Sequence, residues 1–287
     1  MERERWTILY ELILRLGKSD RSGWKYPTTT IVAVYYWSVL HDRSIRWACD
    51  PANWNEGVVP PYDLPPQDRM SKRLKSRSVR ELLAAVEAAQ RTVESSPVKI
   101  LDSKALAVAG ISKDRAATWG RTLKKCWVRG YKLHVLWGGG PLPIAWRITG
   151  MNAQDGRASS PLLRQLRGRG FVLADSQYDH NARYDDAAEH GHQLLALHKE
   201  NAGGGHRKHS PHRLRGLALT RHFRAWVRRR RTDVERFFGT LSCAVGGLAP
   251  LPAWVRGPER VYRWVQAKLV INALRIRRLQ QAKLAMA

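Results

Sequence analysis

The chain has 287 residues, which is enough for one large domain or two moderate ones, each with a buried core. Its formal charge of +26 exceeds what solubility requires and indicates a polyanionic partner, of which nucleic acid is the commonest. The longest apolar run, Ile31 to Leu40, is about half the length that spans a bilayer, and Glu11 and Arg15 interrupt the N-terminal segment, so the sequence predicts no membrane span and no signal peptide.

The cysteines indicate the redox compartment, and the distribution of charge indicates how the chain is divided. Cys49, Cys126 and Cys243 lie far apart and form no CxxC pair, which predicts buried thiols in a reducing cytoplasm. Residues 1–95 carry a net charge of +3, whereas residues 96–287 carry +23. We therefore expect the two parts of the chain to have different roles.

Residues 1–95 are predicted to form a small helical DNA-binding domain. Apolar residues at helical spacing predict four helices: Glu2 to Leu16, Pro27 to about Trp47, Met70 to Leu74, and Val79 to Ala89. The third carries a basic edge that includes Lys72 and Arg73, and a helical domain with one basic edge is suited to reading DNA. The alternative is a helical cap that only packs on the next domain.

Residues 96–257 are predicted to form an α/β domain with a mixed sheet. A hairpin precedes alternating helices and strands, which is the order of such a domain. The predicted strands are Val98 to Asp102, Tyr131 to Trp137, Ile144 to Ile148, Gly170 to Asp175, and Gln193 to Leu197. Helices are predicted over Pro161 to Arg167 and Asn181 to His190, with a basic insertion at about 201–227. A last helix, within residues 258–287, is expected to pack on this domain.

Two of the predicted strands end on an acid, Asp102 and Asp175. The carboxyl ends of neighbouring strands converge on one crevice, and two carboxylates brought together there repel each other unless a proton or a cation lies between them. A pair of Mg²⁺ ions would satisfy such a site and could cleave a phosphodiester, with Glu235 as the third carboxylate. Each acid also has a structural interpretation: turn chemistry for the two aspartates, and for Glu235 a capping box with Thr232 as the N-cap.

A basic run extends from Arg207 to Arg231 without a single acid and includes Phe223 and Trp226. It predicts phosphate binding with aromatic stacking on bases, or alternatively a solvated basic loop around a core tryptophan. Three histidines, His206, His209 and His212, have the spacing of zinc ligands. No cysteine or second cluster completes a tetrahedral set, so a zinc site is not favoured.

Four stretches of the chain resemble the DDE transposases of bacterial insertion sequences, in the group that includes the IS-four and IS-five elements. The matching segments are Val98 to Ser103, Gly130 to His134, Val172 to Asp179, and Val234 to Gly239. The resemblance implies a ribonuclease-H-like mixed sheet flanked by helices. It also implies that Asp102, Asp175 and Glu235 are catalytic and bind two Mg²⁺ ions, for which Mn²⁺ can substitute, to cut and rejoin DNA.

The same resemblance implies the partners. Double-stranded DNA would be bound at terminal inverted repeats, by the N-terminal helices, and as target; a homodimer on DNA is expected because joining two ends needs two active sites. The location would be the bacterial cytoplasm, at the nucleoid. In the family's third motif, Arg231 and Glu235 match, whereas Arg228 stands at a tyrosine position and Ser242 at a lysine position.

We predict the following DNA-binding residues: Lys72, Arg73, Arg207, Lys208, Arg221, Arg224, Arg228, Arg229, Arg230, Arg231 and Arg236. The alternative to a transposase is a catalytically inactive DNA-binding protein that has retained the fold, with Glu235 serving only as a helix cap.

Overall fold

The structure, a computed structural model, describes residues 2–18, 24–54, 63–91, 96–122, 126–197, 209–246, 248 and 250–285. The chain divides into two compact units. One comprises Met1–Arg91, Val245–Gly247 and Arg263–Ala287, and the other comprises Thr92–Ala244 and Leu248–Tyr262. Among the described residues, no helix combines the length and the apolar character that crossing a membrane requires.

The first unit is helical. Its elements are α1 (Glu2–Leu16), α2 (Thr28–Leu40), α3 (Ile45–Ala48), α4 (Gln67–Arg73), α5 (Arg77–Ala88) and most of α10 (Pro258–Ala285). Every residue of α2 from Ile31 to Val39 is buried, so the longest apolar run of the chain is a core helix. The rings of Trp6, Trp37 and Trp54 pack together, with centroids 4.6 to 5.5 Å apart.

The helix predicted from Pro27 to Trp47 is in fact two helices. Asp42 adopts a left-handed conformation with φ of 52°, which an α-helix cannot continue through. Ser44 then caps α3, its hydroxyl accepting a hydrogen bond from the Trp47 amide at 3.3 Å. The periodicity of apolar residues persists across this break, and for that reason it does not reveal the turn.

The sequence predicted that a helix within residues 258–287 packs on the α/β domain. In the structure only Pro258 to Tyr262 belong to the second unit, and the rest of the helix belongs to the first. Lys268 is fully buried, with its ammonium 2.6 Å from the Asp42 carboxylate and donating to the Val245 carbonyl at 2.9 Å. Gln266 donates to Glu87 of α5 at 2.9 Å. These buried polar groups have their partners in the first unit, a pairing that helical periodicity does not encode.

The second unit contains a six-stranded mixed sheet. Its strands are β1 (Val98–Ala107), β2 (Thr118–Arg121), β3 (Trp127–Trp137), β4 (Ala145–Gly150), β5 (Gly170–Ala174) and β6 (His192–Ala196). β3 is antiparallel to β1 on one side and to β4 and β2 on the other, while β1, β5 and β6 run parallel. An antiparallel half joined through β1 to a parallel half is the ribonuclease-H-like arrangement, which confirms the predicted fold class.

Four helices accompany the sheet: α6 (Asp155–Leu163), α7 (Asn181–Glu189), α8 (Pro211–His222) and α9 (Arg224–Gly239). One core cluster joins strands and helices, with Leu101, Leu136, Leu163 and Leu194 all fully buried. α8 occupies the described part of the expected basic insertion, so this part is helical rather than a solvated loop. Arg213 of α8 makes a two-pronged ion pair with Asp179, at 2.9 and 3.0 Å.

β2 was not predicted from the sequence. It is only four residues long and contains Gly120, which is disfavoured in strands. The glycine is required by packing, because a Cβ there would lie 2.4 Å from the Met151 carbonyl oxygen. Cys126 lies between β2 and β3 and is exposed, so the prediction of a buried thiol is wrong for it. Cys49 is half-buried, and burial raises the pKa of its thiol to about 11; the Cys243 side chain lies outside the described residues.

Candidate active site

The register of β1 and β5 brings Asp102 and Asp175 to neighbouring positions. Ile100 pairs with Leu173 in this parallel ladder, and two residues further along each chain stand the two aspartates. β5 ends at Ala174, one residue before the predicted end at Asp175, whereas β1 continues through Asp102 to Ala107 because β3 goes on pairing with it. Asp102 therefore lies within the ladder of β1 and β3, where it pairs with Val135.

Glu235 is positioned by α9, which packs on the sheet through a buried face. Val234, Phe237 and Phe238 of that face are at most 5% exposed, and Glu235 is left exposed. α9 begins at Arg224, so Thr232 lies in the helix interior, where its hydroxyl donates to the Arg229 carbonyl at 2.6 Å. The capping-box interpretation is wrong, because the arginines before Thr232 are good helix formers and extend the helix two turns further.

One cavity of about 1470 Å³ in the second unit collects the three acids. Asp102, Asp175 and Glu235 all line it, and they come from a strand, from the end of another strand and from a helix. Its basic lining side chains include Lys104, Arg157 and Arg231. The carboxylates of such a cleft can bind cations, and its basic side chains can bind phosphate oxygens.

The carboxyl of Asp102 is buried, and its pKa is raised above the usual value. Its exposed fraction is 9%, and burial raises its pKa from 3.8 to about 6. The negative charges of Asp175 and Glu235 raise this pKa further. Arg231, whose guanidinium lies 3.6 Å from Oδ2, and the Ser103 amide, which donates to Oδ1 at 2.8 Å, both lower it. Burial outweighs the compensation that Arg231 and the Ser103 amide give to the Asp102 carboxylate.

The three carboxylates fit a hard divalent cation by donor type, since Mg²⁺ prefers oxygen ligands. Within the part of the chain that the structure describes, however, no three acidic, histidine or cysteine side chains stand close enough together to hold one ion. Arg231 takes the place of a counter-ion beside Asp102. Binding of a metal would therefore require the carboxylates to draw closer and Arg231 to move aside.

A fourth acid, Asp155, also lines the cavity and was missed in the sequence. Lys132 donates to its Oδ1 at 2.8 Å and the Ser103 hydroxyl donates to its Oδ2 at 3.0 Å. His134 is fully buried with Nδ1 4.0 Å from the same carboxylate, and burial lowers the pKa of this histidine to about 4. The signal available in the sequence was an acid in the first turn of a helix, which also suits the helix dipole and so does not indicate a site.

Tyr178 is buried near the carboxylates of this site. Its side chain is fully buried, and burial together with the carboxylates of Asp155, Asp102 and Asp175 raises its pKa well above the usual value. The phenol therefore stays protonated at any pH at which the protein works.

The predicted DNA-binding arginines of α9 differ in their surroundings. Arg228, Arg229, Arg230 and Arg236 are exposed, and both Arg230 and Arg236 lie 3.3 Å from Asp233. Arg231 is the exception, because it is largely buried against Asp102. Arg221 and Arg224 are exposed as well, whereas Arg207 and Lys208 lie outside the described residues, as does His206. His209 and His212 are exposed, with no zinc-binding group among the described residues.

The two basic residues predicted in the first unit also differ. Lys72 is exposed at the end of α4. The guanidinium of Arg73 donates to the Tyr26 carbonyl at 2.9 Å and to the Thr28 hydroxyl at 3.0 Å, and it lies 3.4 Å from the centroid of the Trp24 ring. Arg73 is therefore engaged in holding its own unit together.

Comparison with known proteins identifies the family and the fold of the chain. The family described as Transposase DDE domain matches residues 94–246, which is more than half of the chain. A cryo-EM structure of a piggyBac transposase synaptic complex with hairpin DNA superimposes with a TM-score of 0.51 at 10% identity, covering 93% of this chain and 73% of that one. This likeness shows a shared fold. No curated protein matches the sequence. The family match, which spans Asp102, Asp175 and Glu235, shows that the chain belongs to the DDE transposases.

Proposed function

We propose that this protein is a DNA transposase that cuts DNA at the ends of a mobile element and joins those ends to target DNA. The observation that carries the proposal is that Asp102, Asp175 and Glu235, from three separate elements, line one cavity of a strongly basic chain. Family membership supplies the reaction class, and the charge of +26 supplies the affinity for a polyanion.

Asp102, Asp175 and Glu235 would hold two Mg²⁺ ions, or Mn²⁺ in their place. Such ions, when bound, activate the attacking oxygen and stabilise the departing one. Asp102 is the most buried of the three, and burial raises the pKa of its carboxyl to about 6, so a bound cation would stabilise its ionised form.

Arginines on one face of α9 would bind the phosphates. Arg224, Arg228, Arg231 and Glu235 recur at intervals of four, three and four residues, which places them in one row along the helix. Once released from Asp102, Arg231 would become available for the phosphate being cut, and Arg236 would orient a neighbouring one. Arginine suits this role because its fork of donors matches two phosphate oxygens.

Two displacements at phosphorus would use the same cavity in turn. In the first, a water oxygen bonds to phosphorus and the bond to the 3′ oxygen breaks, which frees a 3′ hydroxyl. In the second, this hydroxyl attacks a phosphodiester of target DNA and displaces its 3′ oxygen. The N-terminal helices, with Lys72 exposed among them, would recognise the terminal inverted repeat, and two copies of the chain would hold two ends.

The test is a cleavage and strand-transfer assay of the full chain with Mg²⁺, on DNA that carries the inverted repeats flanking its gene. Asp175→Asn and Glu235→Gln should abolish nicking while leaving DNA binding intact or stronger. Glu189→Gln is the matched control, because Glu189 is exposed at the end of α7 and does not line the cavity. Unchanged nicking by Asp175→Asn would sink the proposal.

The same assay separates the rival, an inactive DNA-binding protein that has retained the fold. If the rival is correct, the wild-type chain should bind the element ends and leave them uncut with either Mg²⁺ or Mn²⁺. The rival hypothesis gave Glu235 a role as a helix cap. The structure does not support that role, since Glu235 lies in the interior of α9 and Thr232 is not the N-cap of this helix.

A further inference from the structure

The hairpin of β2 and β3 exposes two large aromatic side chains. Trp119 is 59% exposed and Trp127 is 62% exposed, whereas Trp6 and Trp37 in the helical unit are at most 2% exposed. Leaving an indole in water forgoes the gain from burying a large apolar surface. Two such residues on one short hairpin therefore indicate a surface that is covered when the protein acts.

The strand register puts these side chains on one face with an arginine. Trp127 pairs directly with Arg121, whose guanidinium lies 5.3 Å from the centroid of the Trp127 ring, and Trp119 is two residues from Arg121 on the same strand. We call Trp119, Arg121 and Trp127 the Trp–Arg face. The opposite face of β2 is closed, because Gly120 abuts the Met151 carbonyl.

Trp119 and Trp127 are close neighbours on the Trp–Arg face. They are diagonal neighbours of an antiparallel pair, which stand about 7–8 Å apart along the backbone and are within reach of each other when the side chains are aromatic. The two indoles therefore form one continuous aromatic surface that successive bases of a strand can contact.

The Trp–Arg face lines the same cavity as Asp102, Asp175 and Glu235. With a volume of about 1470 Å³, the cavity is larger than the roughly 300–1,000 Å³ of a site for one small molecule. The other basic groups of its lining include Lys104 and Arg157. An apolar protein partner would meet these charges unfavourably, whereas a nucleic-acid strand complements them with phosphates and offers flat bases to the indoles.

We infer that the Trp–Arg face is a stacking site for unpaired bases of the DNA strand that enters the cavity. The inference rests on the proposed function for the identity of the strand. An indole reaches the flat side of a base only when that base has left the duplex stack, so the occupant is an unpaired or extruded base rather than an intact pair. Arg121 holds the adjoining phosphate.

The test measures binding of an oligothymidylate of about 12 nucleotides, within the site sizes of single-strand-binding proteins, by the full chain in EDTA. Stacking on one indole contributes about 1–3 kcal/mol, which corresponds to about a 5- to 150-fold change in Kd. Trp119→Ala and Trp127→Ala should each raise Kd at least fivefold and leave its salt dependence unchanged, because no phosphate contact is lost. Arg121→Ala should instead flatten the salt dependence.

Trp254→Ala is the matched control, since Trp254 is 41% exposed in the same unit and does not line the cavity. An oligonucleotide of the same length with abasic sugars keeps the phosphates, and the wild type should bind it as weakly as the double alanine variant binds oligothymidylate. Equal wild-type affinity for both oligonucleotides would overturn the inference.

A second readout covers an alanine variant that fails to fold. Stacking of bases should quench part of the wild-type tryptophan fluorescence, and the double variant Trp119→Phe with Trp127→Phe should lose that quenching while retaining most of the affinity. Quenching that survives in the double phenylalanine variant would overturn the inference. If stacking fails while Mg²⁺-dependent cleavage is intact, the stacking inference falls and the proposed transposase stands. If stacking is found and no cleavage occurs, the proposed function falls and the stacking site stands.

Discussion

Replacing Asp102 by asparagine is expected to stabilise the metal-free protein, and to do so only above a defined pH. Burial raises the pKa of this carboxyl from 3.8 to about 6. Because the native state holds the proton more tightly than the unfolded chain, the wild type loses stability as pH rises from about 4 to about 6. Above this window the ionised Asp102 costs about 3 kcal/mol, from a shift of about two pKa units at 1.36 kcal/mol each.

The assay is thermal unfolding in EDTA at several pH values for the wild type and Asp102→Asn. Asparagine does not titrate, so the difference in unfolding free energy between the two proteins should grow by up to about 3 kcal/mol between pH 4 and pH 7.5. For a unit of this size, that corresponds to a rise of roughly 6–12 °C in the midpoint. The pH-dependent part of the difference excludes effects of the substitution that do not involve the proton.

Addition of Mg²⁺ should make the wild type the more stable of the two proteins above pH 6. Metal binding stabilises the folded wild type, whereas Asp102→Asn lacks one of the proposed metal-binding carboxylates. Glu189→Gln, on the exposed end of α7, controls for removal of an acid elsewhere. A stability difference that stays flat from pH 4 to pH 7.5 would refute the argument that burial of Asp102 raises its pKa.

Three further outcomes are expected. Lys132→Met removes the 2.8 Å ion pair with Asp155 and leaves that largely buried carboxylate without its ammonium partner, so we expect the free energy of unfolding to fall by about 3–5 kcal/mol in chemical denaturation; a loss below 1 kcal/mol would contradict this. Arg228→Gln should reduce the slope of log affinity against log salt by about 0.9, the value of one lost phosphate contact, and an unaltered slope would assign Arg228 another role. Lys268→Ala leaves the half-buried Asp42 carboxylate unpaired and should cost about 3–5 kcal/mol in chemical denaturation, much of it recovered by adding Asp42→Asn; a loss below 1 kcal/mol would show that water compensates the charge.

The sequence alone located most of the helices and strands of the second unit. Strand-length apolar runs ending near Asp102 and Asp175 predicted two parallel neighbours, and the structure pairs those strands in register. The buried face of α9 was also readable, since Val234, Phe237 and Phe238 recur at helical spacing. Such patterns are visible because burial of one face imposes a period on the chain.

Features that depend on contacts between distant segments were not readable. Asp155 belongs to the cavity only because α6 places it beside Ser103 and Lys132, which lie 52 and 23 residues away in the chain. β2 has too few apolar residues to show a period, and its pairing is made by β3. The same limit applies to the hairpin tryptophans, whose exposure on the cavity wall follows from the register and not from their neighbours in sequence.

Glu235 illustrates the difference between what the sequence predicts and what only the tertiary structure decides. Its sequence context, Thr232 to Glu235, is compatible both with a helix start and with the middle of a helix, because capping preferences and helix propensities are local and weak. The choice was made by packing: the helix extends back to Arg224 and leaves Glu235 in a cavity with Asp102 and Asp175. The sequence by itself predicted an α/β domain with a mixed sheet and singled out three acids, since periodicity and residue type are local properties. Its resemblance to a known family implied the ribonuclease-H-like fold and the grouping of these acids. Only the tertiary structure decided that these acids share one basic cavity with Asp155 and two exposed tryptophans, because that depends on how distant segments pack.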